Sequence, residues 1–569
     1  MGFAFGLLAL IATQGFALAA PQLLRIATDA LIASDSDRVI EAAFMLMGVA
    51  VLGGAARVVS RIQIFNNGRR VEYDLRNDIF AHLLRLPPAF YDKMPVGQVM
   101  SRMVNDLTQV RLLLGPGILN LTNTTLVYIV VIPLLFITDF WLTVYALLPL
   151  PVLLMLGRIF AKFIYRWSRE SQDKLAILSS KVQENLSGVM TVRAYRQEGN
   201  EASTFLKMSE DYLDTNIKLA RLRGTMFPMM GVAGAIGSLV VLWVGGHRIM
   251  DGQMTVGEFV GYNAYLAALT WPTIALGWMI SLIQRGLAAM ERVNEIFSAE
   301  PALVDGDATP AALSGRIELD DLTFAYAEGD APALQNLTTT IEPGEMVVVV
   351  GRTGCGKSTL LEVLARLLEV ERGQVRFDGV DVNDLPLAHV RDQIGYAPQD
   401  AFLFSRTLFE NVAFGAPDAS DEDVEEAVRL ASFDGDVAGF SNGLETIVGE
   451  RGVTLSGGQR QRTTLARALL VDPPILILDD TLSAVDTETE TAILDALVQE
   501  KSKRTLVVAT HRLAAAARAD RILVLEHGKL VEQGTEAELL ALDGVYAAMH
   551  RRQRLENALT ASSPEKPAA

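Results

Sequence analysis

Cysteine is almost absent from this sequence, and charged residues are few. Of 569 residues only Cys355 is a cysteine, which excludes a disulfide scaffold and any zinc site built from several cysteines. Charged residues make up 21% of the chain, below the roughly 25% of soluble domains. The formal charge of −17 argues against a nucleic-acid binder. The N-terminus lacks the basic stretch and cleavage site of a signal peptide, so we expect the first apolar run to be retained.

The chain is too long for one domain of roughly 100–200 residues, and its charge divides it into two halves. Residues 1–300 contain 26 Lys and Arg against 23 Asp and Glu, a formal charge of +3. Residues 301–569 contain 24 against 44, a formal charge of −20. The sequence therefore predicts a near-neutral apolar half followed by an acidic, polar half.

Six apolar runs in the first half are long enough to cross about 30 Å of membrane hydrocarbon, which takes roughly 20 helical residues. One such run alone could be a buried helix of a globular core, but six in succession predict a membrane domain over residues 1–298. The predicted spans are residues 3–28, 39–63, 115–138, 140–165, 225–247 and 256–284.

The positions of Lys and Arg predict the orientation of these spans. The connections after the first, third and fifth spans are short, whereas those after the second and fourth are long and basic. Because basic connections stay in the cytoplasm, we expect a multi-pass protein of the cytoplasmic membrane with both termini cytoplasmic. The two long connections are expected to continue the spans as helices tens of ångströms into the cytoplasm.

The spans contain almost no ionisable residue at mid-depth, which disfavours a proton relay or an ion pump. Their Met and aromatic side chains fit two interpretations. One is helix packing and anchoring at the membrane surface, and the other is an adaptable surface for apolar or amphiphilic compounds. These residues are Met45, Met47, Met229, Met230, Trp243, Tyr262, Tyr265, Trp271, Trp278 and Met279.

A glycine-rich loop near the start of the second half predicts phosphate binding. It follows a strand-like run, Met346–Val350, precedes a helical pattern, and reads Gly351, Arg352, Thr353, Gly354, Cys355, Gly356, Lys357, Ser358, Thr359. This is the G-x-x-x-x-G-K-[ST] pattern, in which glycines let backbone N–H groups wrap nucleotide phosphates. Lys357 would reach the β- and γ-phosphates, and Ser358 would ligate Mg²⁺. We interpret Cys355 as a small loop residue.

Two further motifs complete the predicted nucleotide site. Residues 474–479 read as a buried parallel strand ending in Asp479, which would hold Mg²⁺ through water. A second Gly-rich helix start, suited to an anion, consists of Leu455, Ser456, Gly457, Gly458 and Gln459. We predict a nucleotide-binding domain over residues 316–550. A linker over 299–315 would precede it, and a polar tail over 551–569, disordered at its end, would follow it.

These motifs resemble those of ABC transporter nucleotide-binding domains, where an LSGGQ signature lies between a phosphate loop and an acid-terminated strand. The resemblance implies that Tyr326 stacks on adenine and that His511 senses the γ-phosphate. Gln399 would touch Mg²⁺ and meet the membrane domain. The D-loop would consist of Ser483, Ala484, Val485 and Asp486. Residues 446–452 resemble the cross-linking loop of exporters, and residues 90–106 their first coupling segment.

Six spans ahead of one such domain resemble a half-transporter of the exporter type. The implied fold is an all-α six-helix transmembrane domain followed by an α/β P-loop ATPase domain. The resemblance implies that two chains pair and that each ATP, with Mg²⁺, lies between one chain's phosphate loop and the other's signature. ATP hydrolysis would drive export of hydrophobic or amphiphilic compounds. The implied partners are a second half-transporter, membrane lipid and a small substrate, with no nucleic acid.

One position departs from the family pattern. The family has a glutamate after the strand-end aspartate, where it polarises the attacking water, but this chain has Asp480. The carboxylate is drawn back by about 1.5 Å, and a misplacement of order 1 Å can slow catalysis about 10²-fold. Asp480 is therefore either a slow, working base or the mark of a degenerate site that binds ATP and scarcely hydrolyses it. We favour the degenerate site because of this shortened carboxylate. The intact signature would then complete a competent site whose base comes from the partner, and the retained His511 makes the degeneracy partial. This pattern resembles bacterial heterodimeric multidrug exporters.

Three alternatives use the same ATPase domain. The chain could belong to a homodimeric or heterodimeric lipid flippase, or to an importer with the exporter fold. It could also be an ATP-gated channel or a regulatory subunit without transport of its own. Sustained accumulation of a substrate against its concentration gradient would exclude the channel and the regulatory subunit.

Overall fold

Helices make up the first half of the chain. The computed structural model describes residues 2–301, 303, 305–308, 311–326, 329–449, 452–500 and 503–561, without the side chains of residues 92, 149, 150, 152–154, 156, 227, 230, 233, 234, 274 and 556–561. The helices of this half are α1 Gly2–Ile32, α2 Ser36–Leu83, α3 Pro88–Lys93, α4 Val96–Ser101, α5 Leu107–Leu112, α6 Ile118–Thr138, α7 Phe140–Leu147, α8 Pro149–Ser187, α9 Val189–Ala194, α10 Glu198–Met250 and α11 Val256–Phe297. Two π-helical turns, Arg102–Asp106 and Leu113–Gly117, join α4, α5 and α6 into one continuous stretch.

Four helical stretches of the described residues are long and apolar enough to cross a membrane: Gly2–Ile32, Ser36–Leu83, Val96–Thr138 and Val256–Phe297. The remaining two predicted spans lie in α7–α8 and in α10, where Ala235–Met250 is a shorter apolar stretch. Helix α2 has 48 residues and is therefore about 72 Å long at 1.5 Å per residue. This is more than twice the roughly 30 Å of hydrocarbon, so the helix continues well beyond a membrane, as the sequence predicted.

Helices α8 and α10 pack against each other along their polar parts. The hydroxyl group of Ser171 donates to Oδ1 of Asn216 at 3.1 Å, and Nζ of Lys174 donates to the hydroxyl oxygen of Thr215 at 2.9 Å. Thr215 is fully buried. These bonds set an antiparallel register in which residue 171 lies beside residue 216.

The chain forms two compact units. One consists of Met1–Phe80 with Gly97–Phe297, and the other of Ala81–Val96 with Ser298–Ala569. In the first unit the buried carboxylate of Asp106 accepts two hydrogen bonds from the Arg292 guanidinium, at 2.6 and 2.9 Å. This pair ties a π-helical turn to α11.

The second unit is built on two sheets. A four-stranded sheet has the order β2-β1-β4-β5, and a six-stranded sheet has the order β10-β9-β3-β8-β7-β6. The strands are β1 Ile317–Phe324, β2 Leu334–Ile341, β3 Met346–Gly351, β4 Val375–Phe377, β5 Val380–Asp381, β6 Ile394–Ala397, β7 Ile475–Asp479, β8 Thr505–Thr510, β9 Arg521–Glu526 and β10 Lys529–Gly534. Neighbours from β9 to β6 pair in parallel. Every residue of β3, β7 and β8 is buried, as expected for a parallel sheet covered on both faces.

The helices of this unit are α12 Lys357–Leu364, α13 Leu387–Arg391, α14 Leu408–Val412, α15 Asp421–Leu430, α16 Asp434–Gly439, α17 Gly457–Leu470, α18 Thr487–Glu500, α19 Leu513–Ala516, α20 Glu536–Leu542 and α21 Val545–Ala561. The sequence predicted a polar tail from Arg551 onward, but α21 continues through this segment to Ala561. Residues 562–569, the end predicted to be disordered, lie outside the described residues. In parallel sheets, ligands bind beyond the carboxyl ends of the strands. The candidate ligand site of this unit is therefore formed by the loops that follow β3, β6, β7 and β8.

Candidate functional site

The phosphate loop connects β3 to α12 at the carboxyl edge of the parallel sheet. Gly354 and Gly356 have φ angles of 81° and 101°, which residues with a side chain adopt poorly. A Cβ atom at Gly356 would lie 2.7 Å from the carbonyl oxygen of Ala333, so this position also needs the space that glycine leaves. The other loop residues form an exposed tip of Arg352 and Thr353 and a buried base of Gly351, Cys355 and Thr359.

Lys357 begins α12, and its side chain lies against the loop. Nζ donates to the carbonyl oxygens of Gly351 at 2.9 Å and of Arg352 at 3.2 Å. The ammonium group thus has loop carbonyls as its acceptors, and phosphate oxygens can replace them when a nucleotide binds. This placement fits the predicted contact with the β- and γ-phosphates.

Ser358 and Asp479 meet at the edge of the sheet. The Ser358 hydroxyl group hydrogen-bonds to the Asp479 carboxylate, and Asp479 is 3% exposed at the end of β7. Burial raises the pKa of Asp479, and the nearby Asp480 adds to this rise, whereas the Ser358 hydrogen bond and the charge of Lys357 oppose it. Gln399 is exposed two residues beyond β6, which pairs in parallel with β7. Hydroxyl, carboxylate and amide oxygens are the ligands that Mg²⁺ accepts, so these three residues fit the predicted ion.

Asp480 and His511 contact each other directly. Nδ1 of His511 lies 2.9 and 3.1 Å from the two carboxylate oxygens of Asp480. The His511 side chain is 55% exposed, and that of Asp480 is 14% exposed. Asp480 has a φ of 47°, a left-handed conformation that is uncommon for non-glycine residues and that Asp adopts more often than most. The structure therefore brings the predicted base and the predicted γ-phosphate sensor together.

Tyr326 lies beside the phosphate loop through its hydroxyl group. This group is 2.9 Å from Oγ1 of Thr359 and also bonds to the carboxyl group of Glu362. Burial raises the pKa of Glu362, and the negative charge of Asp479 adds to this rise. The Tyr326 residue remains 53% exposed, which leaves its ring open to the predicted stacking on adenine.

The signature residues cap helix α17. The Ser456 side chain accepts from the Gln459 backbone N–H at 3.3 Å, and the Gln459 side chain accepts from the Ser456 backbone N–H at 2.9 Å, a capping box. The Gln459 side chain also donates to Asp436 in α16 at 2.8 Å. Leu455 is buried, and Gly457 and Gly458 are half-buried. A Cβ atom at Gly458 would lie 2.9 Å from the Ala484 carbonyl oxygen, so the signature packs on its own chain's D-loop.

Sequence reasoning missed two residues that hold the D-loop, Gln461 and Arg512. The Gln461 amide donates to the Ser483 hydroxyl group at 3.1 Å and accepts from the Ala484 N–H at 2.9 Å. Arg512 donates to the carbonyl oxygens of Ser483 at 2.7 Å and Val485 at 3.2 Å.

Arg512 is fixed in turn by Glu490, whose carboxylate accepts from it at 2.6 Å. Ser483 also donates its hydroxyl hydrogen to the Asp480 carbonyl oxygen at 2.8 Å. At the other end of the D-loop, Asp486 caps α18 through Thr489. The only sequence signal for these D-loop contacts was the position of the two residues. Gln461 lies two residues beyond the signature, and Arg512 directly follows His511.

Part of the predicted cross-linking loop cannot be placed. Ile447 forms an isolated antiparallel bridge with Thr407, but Glu450 and Arg451 lie outside the described residues.

Comparison with known proteins identifies both halves. The family described as the ABC transporter transmembrane region matches residues 3–273, and the family described as ABC transporter matches residues 334–483. The probable multidrug resistance ABC transporter ATP-binding/permease protein YheI of Bacillus subtilis (strain 168) is 38% identical over 496 residues, covering 87% of this chain and 85% of the relative. The chain belongs to the ABC transporter family.

Further similarities support this assignment. The multidrug resistance-like ATP-binding protein MdlA of Escherichia coli (strain K12) is 34% identical, covering 90% of this ABC transporter chain and 87% of the relative. A solved structure described as a bacterial Atm1-family ABC exporter with ATP bound has a TM-score of 0.77 and 26% identity, covering 99% and 98% of the two chains. The predicted fold class, a helical transmembrane domain followed by an α/β P-loop ATPase domain, is confirmed. The chain is a multi-pass membrane protein with an ABC-type ATPase domain.

Proposed function

We propose that this chain is one half of a heterodimeric ABC exporter that moves hydrophobic or amphiphilic compounds across the cytoplasmic membrane. Export is supported by the printed names of the relatives and by spans that offer Met and aromatic rather than ionisable side chains. We propose a heterodimer with two unequal ATP sites because of Asp480, the aspartate that stands where the family has the catalytic glutamate. Both termini would be cytoplasmic, and the nucleotide-binding domain would occupy residues 316–550.

The chain's own ATP site would bind nucleotide well and hydrolyse it slowly. Backbone N–H groups from Gly351 to Thr359 would surround the phosphates, with Lys357 exchanging its two carbonyl acceptors for phosphate oxygens. Ser358, Asp479 and Gln399 would hold Mg²⁺, whose charge stabilises the transferring phosphoryl group. Tyr326 would stack on the adenine.

The weak step is activation of water by Asp480. Its side chain ends about 1.5 Å short of a glutamate carboxylate, and its oxygens already lie beside Nδ1 of His511 at 2.9 and 3.1 Å. To act as a base it would have to leave this contact with a side chain one methylene shorter than that of glutamate. A carboxylate displaced by this much predicts that ATP hydrolysis at this site is slowed roughly 10²-fold.

The partner's site would be competent. This chain would supply its signature, Leu455 to Gln459, and its D-loop, Ser483 to Asp486, and the partner would supply the base. The bonds from Gln461 to the D-loop and from Ser483 to the Asp480 carbonyl oxygen connect the two sites through one chain. Closure on ATP would thus be sensed at both sites, while turnover would occur mainly at one.

Transport in sealed vesicles tests the proposal. The chain is co-reconstituted with a partner half-transporter in inside-out proteoliposomes, and ATP-dependent accumulation of an amphiphilic dye is compared with movement of a labelled phospholipid. We expect dye accumulation against a gradient, lost when Lys357→Ala is made in this chain and the equivalent lysine is replaced in the partner. Lipid movement without dye transport would indicate a flippase, the opposite direction would indicate an importer, and equilibration without accumulation would indicate a channel.

A further inference from the structure

A cluster of seven basic residues lies where α8 and α10 run side by side, and it plays no part in the proposed ATP site. The stretches 140–169 and 215–250 contain no Asp or Glu at all. We call this cluster the basic belt, and its members are Arg158, Lys162, Arg166 and Arg169 on α8 and Lys218, Arg221 and Arg223 on α10. All seven are exposed.

The packing of the two helices brings these cations together around one indole. Because Ser171 bonds to Asn216 in an antiparallel pair, residues 162–169 of α8 lie beside residues 218–225 of α10. The guanidinium carbon of Arg166 is 5.8 Å and Nζ of Lys218 is 5.2 Å from the centre of the Trp167 ring. Both contacts are within the range of cation–π attraction, so the indole holds two like charges close to each other.

The basic belt has no ion-pair partner in the part of the chain that the structure describes. Among the described residues none of the seven side chains makes an ion pair within 4 Å, whereas Lys174, two turns further along α8, pairs with Glu170 at 3.3 Å. The nearest acidic residue on α10 is Asp214, four residues before Lys218. A concentrated positive field of this kind attracts an external anion.

The basic belt lies at the boundary between polar and apolar helix surface. The fourth predicted span ends at residue 165 and the fifth begins at residue 225. Ile159 and Phe163, on the turns that carry the α8 cations, are 42% and 45% exposed. Lys and Arg at such a boundary extend their charges toward water while their stems stay in apolar surroundings, and Trp is enriched there.

We propose that the basic belt binds the phosphate headgroup of an anionic phospholipid, whose acyl chains lie along the exposed apolar side chains of α8. Charge complementarity selects the anion, and the adjoining apolar surface selects a molecule with a tail over a free anion. Each cation near a membrane surface contributes about five-fold in affinity for anionic lipid. Removing three of them predicts a loss of roughly 100-fold.

Lipid quenching of Trp167 tests the site in the full chain. The protein is placed in phosphatidylcholine nanodiscs that contain increasing fractions of brominated phosphatidylglycerol or brominated phosphatidylcholine. The difference between wild type and Trp167→Phe isolates the Trp167 signal. We expect brominated phosphatidylglycerol to quench Trp167 at a far lower mole fraction than brominated phosphatidylcholine does.

Three variants decide the interpretation. The triple variant Lys162→Gln, Arg166→Gln, Lys218→Gln should lose the preference for phosphatidylglycerol. The mole fraction of brominated phosphatidylglycerol that gives half-maximal quenching should rise to the value for brominated phosphatidylcholine. The matched control Arg193→Gln, Arg196→Gln, Lys207→Gln removes three exposed cations elsewhere, on α9, on the turn that follows it and on α10, and should retain the preference. The charge-conserving variant Lys162→Arg, Arg166→Lys, Lys218→Arg should also retain it, which separates charge from misfolding.

Several results would overturn the proposal. Equal quenching by the two lipids, or an equal loss in the matched control, would mean that no specific site exists. Displacement of the lipid by inorganic phosphate at constant ionic strength would assign the belt to a free anion. Dissociation of a dimer in the glutamine variant, with unchanged quenching, would assign it to a second protein chain.

Discussion

Replacing Arg512 by Gln should destabilise the nucleotide-binding unit by leaving Glu490 buried without its cation. The two groups are 2.6 Å apart, and the side chains of Arg512 and Glu490 are 28% and 4% exposed. Breaking a buried pair from one side costs about 3–5 kcal/mol, because the remaining charge stays desolvated. The D-loop carbonyl oxygens of Ser483 and Val485 also lose a donor.

The expected shift is large enough to measure by calorimetry. Unfolding entropy is about 2.1 cal/mol/K per residue, and the unit has about 290 residues, so 3–5 kcal/mol lowers Tm by roughly 5–8 °C. The test is a double-mutant cycle with Arg512→Gln, Glu490→Gln and the double variant, in detergent with the partner chain present. ATP turnover is measured on the same samples well below Tm, because a displaced D-loop slows catalysis even where the unit remains folded.

The cycle can contradict this reasoning in two ways. An Arg512→Gln variant with unchanged Tm and turnover would show that the pair neither stabilises the unit nor holds the D-loop. Strict additivity of the two single changes would also refute it, because paired residues should show a coupling energy of about 0.5–3 kcal/mol.

Three other perturbations have defined outcomes. Gly458→Ala places a Cβ atom 2.9 Å from the Ala484 carbonyl oxygen and should lower the free energy of unfolding by about 1–3 kcal/mol through overpacking. Gly457→Ala, whose Cβ atom would lie 3.5 Å from the nearest atom, is the matched control for this loss of stability. Because burial raises the pKa of Asp479, this carboxylate gains its proton at a higher pH than an exposed aspartate does. The Mg²⁺-dependent part of ATP affinity should therefore weaken as the pH falls, beginning at a higher pH than an exposed aspartate would give, while affinity measured in EDTA should change little. Lys357→Ala should remove the thermal stabilisation by ATP, about 2.7 kcal/mol at 100 times Kd; stabilisation equal to wild type would show that Lys357 does not hold the phosphates.

The parts of the site that lie close together in sequence were predictable. Gly351 to Thr359, and Leu455 to Gln459, are short runs whose residue order carries their chemistry, and the resemblance assigned Asp480 and His511. The helical membrane domain followed from the length and number of apolar runs, because hydrocarbon thickness sets a minimum length for each helix.

The remaining features depend on tertiary contacts between ordinary-looking residues. Arg512 and Glu490 are 22 positions apart, and nothing in either residue distinguishes it from a solvated surface charge. The π-helical turns on either side of α5 have no pattern that sequence reasoning recognises. The helical form of residues 551–561 was missed because a polar composition does not separate a surface helix from a tail.

ATP turnover of this chain, alone and mixed with a candidate partner half-transporter, tests the proposed asymmetry most directly. We predict negligible turnover alone and full turnover in the mixture, with activity that survives Asp480→Ala in this chain and is lost when its LSGGQ signature is disrupted. Robust turnover of the chain alone, lost on Asp480→Ala, would contradict the proposal and establish a homodimer in which aspartate is the working base.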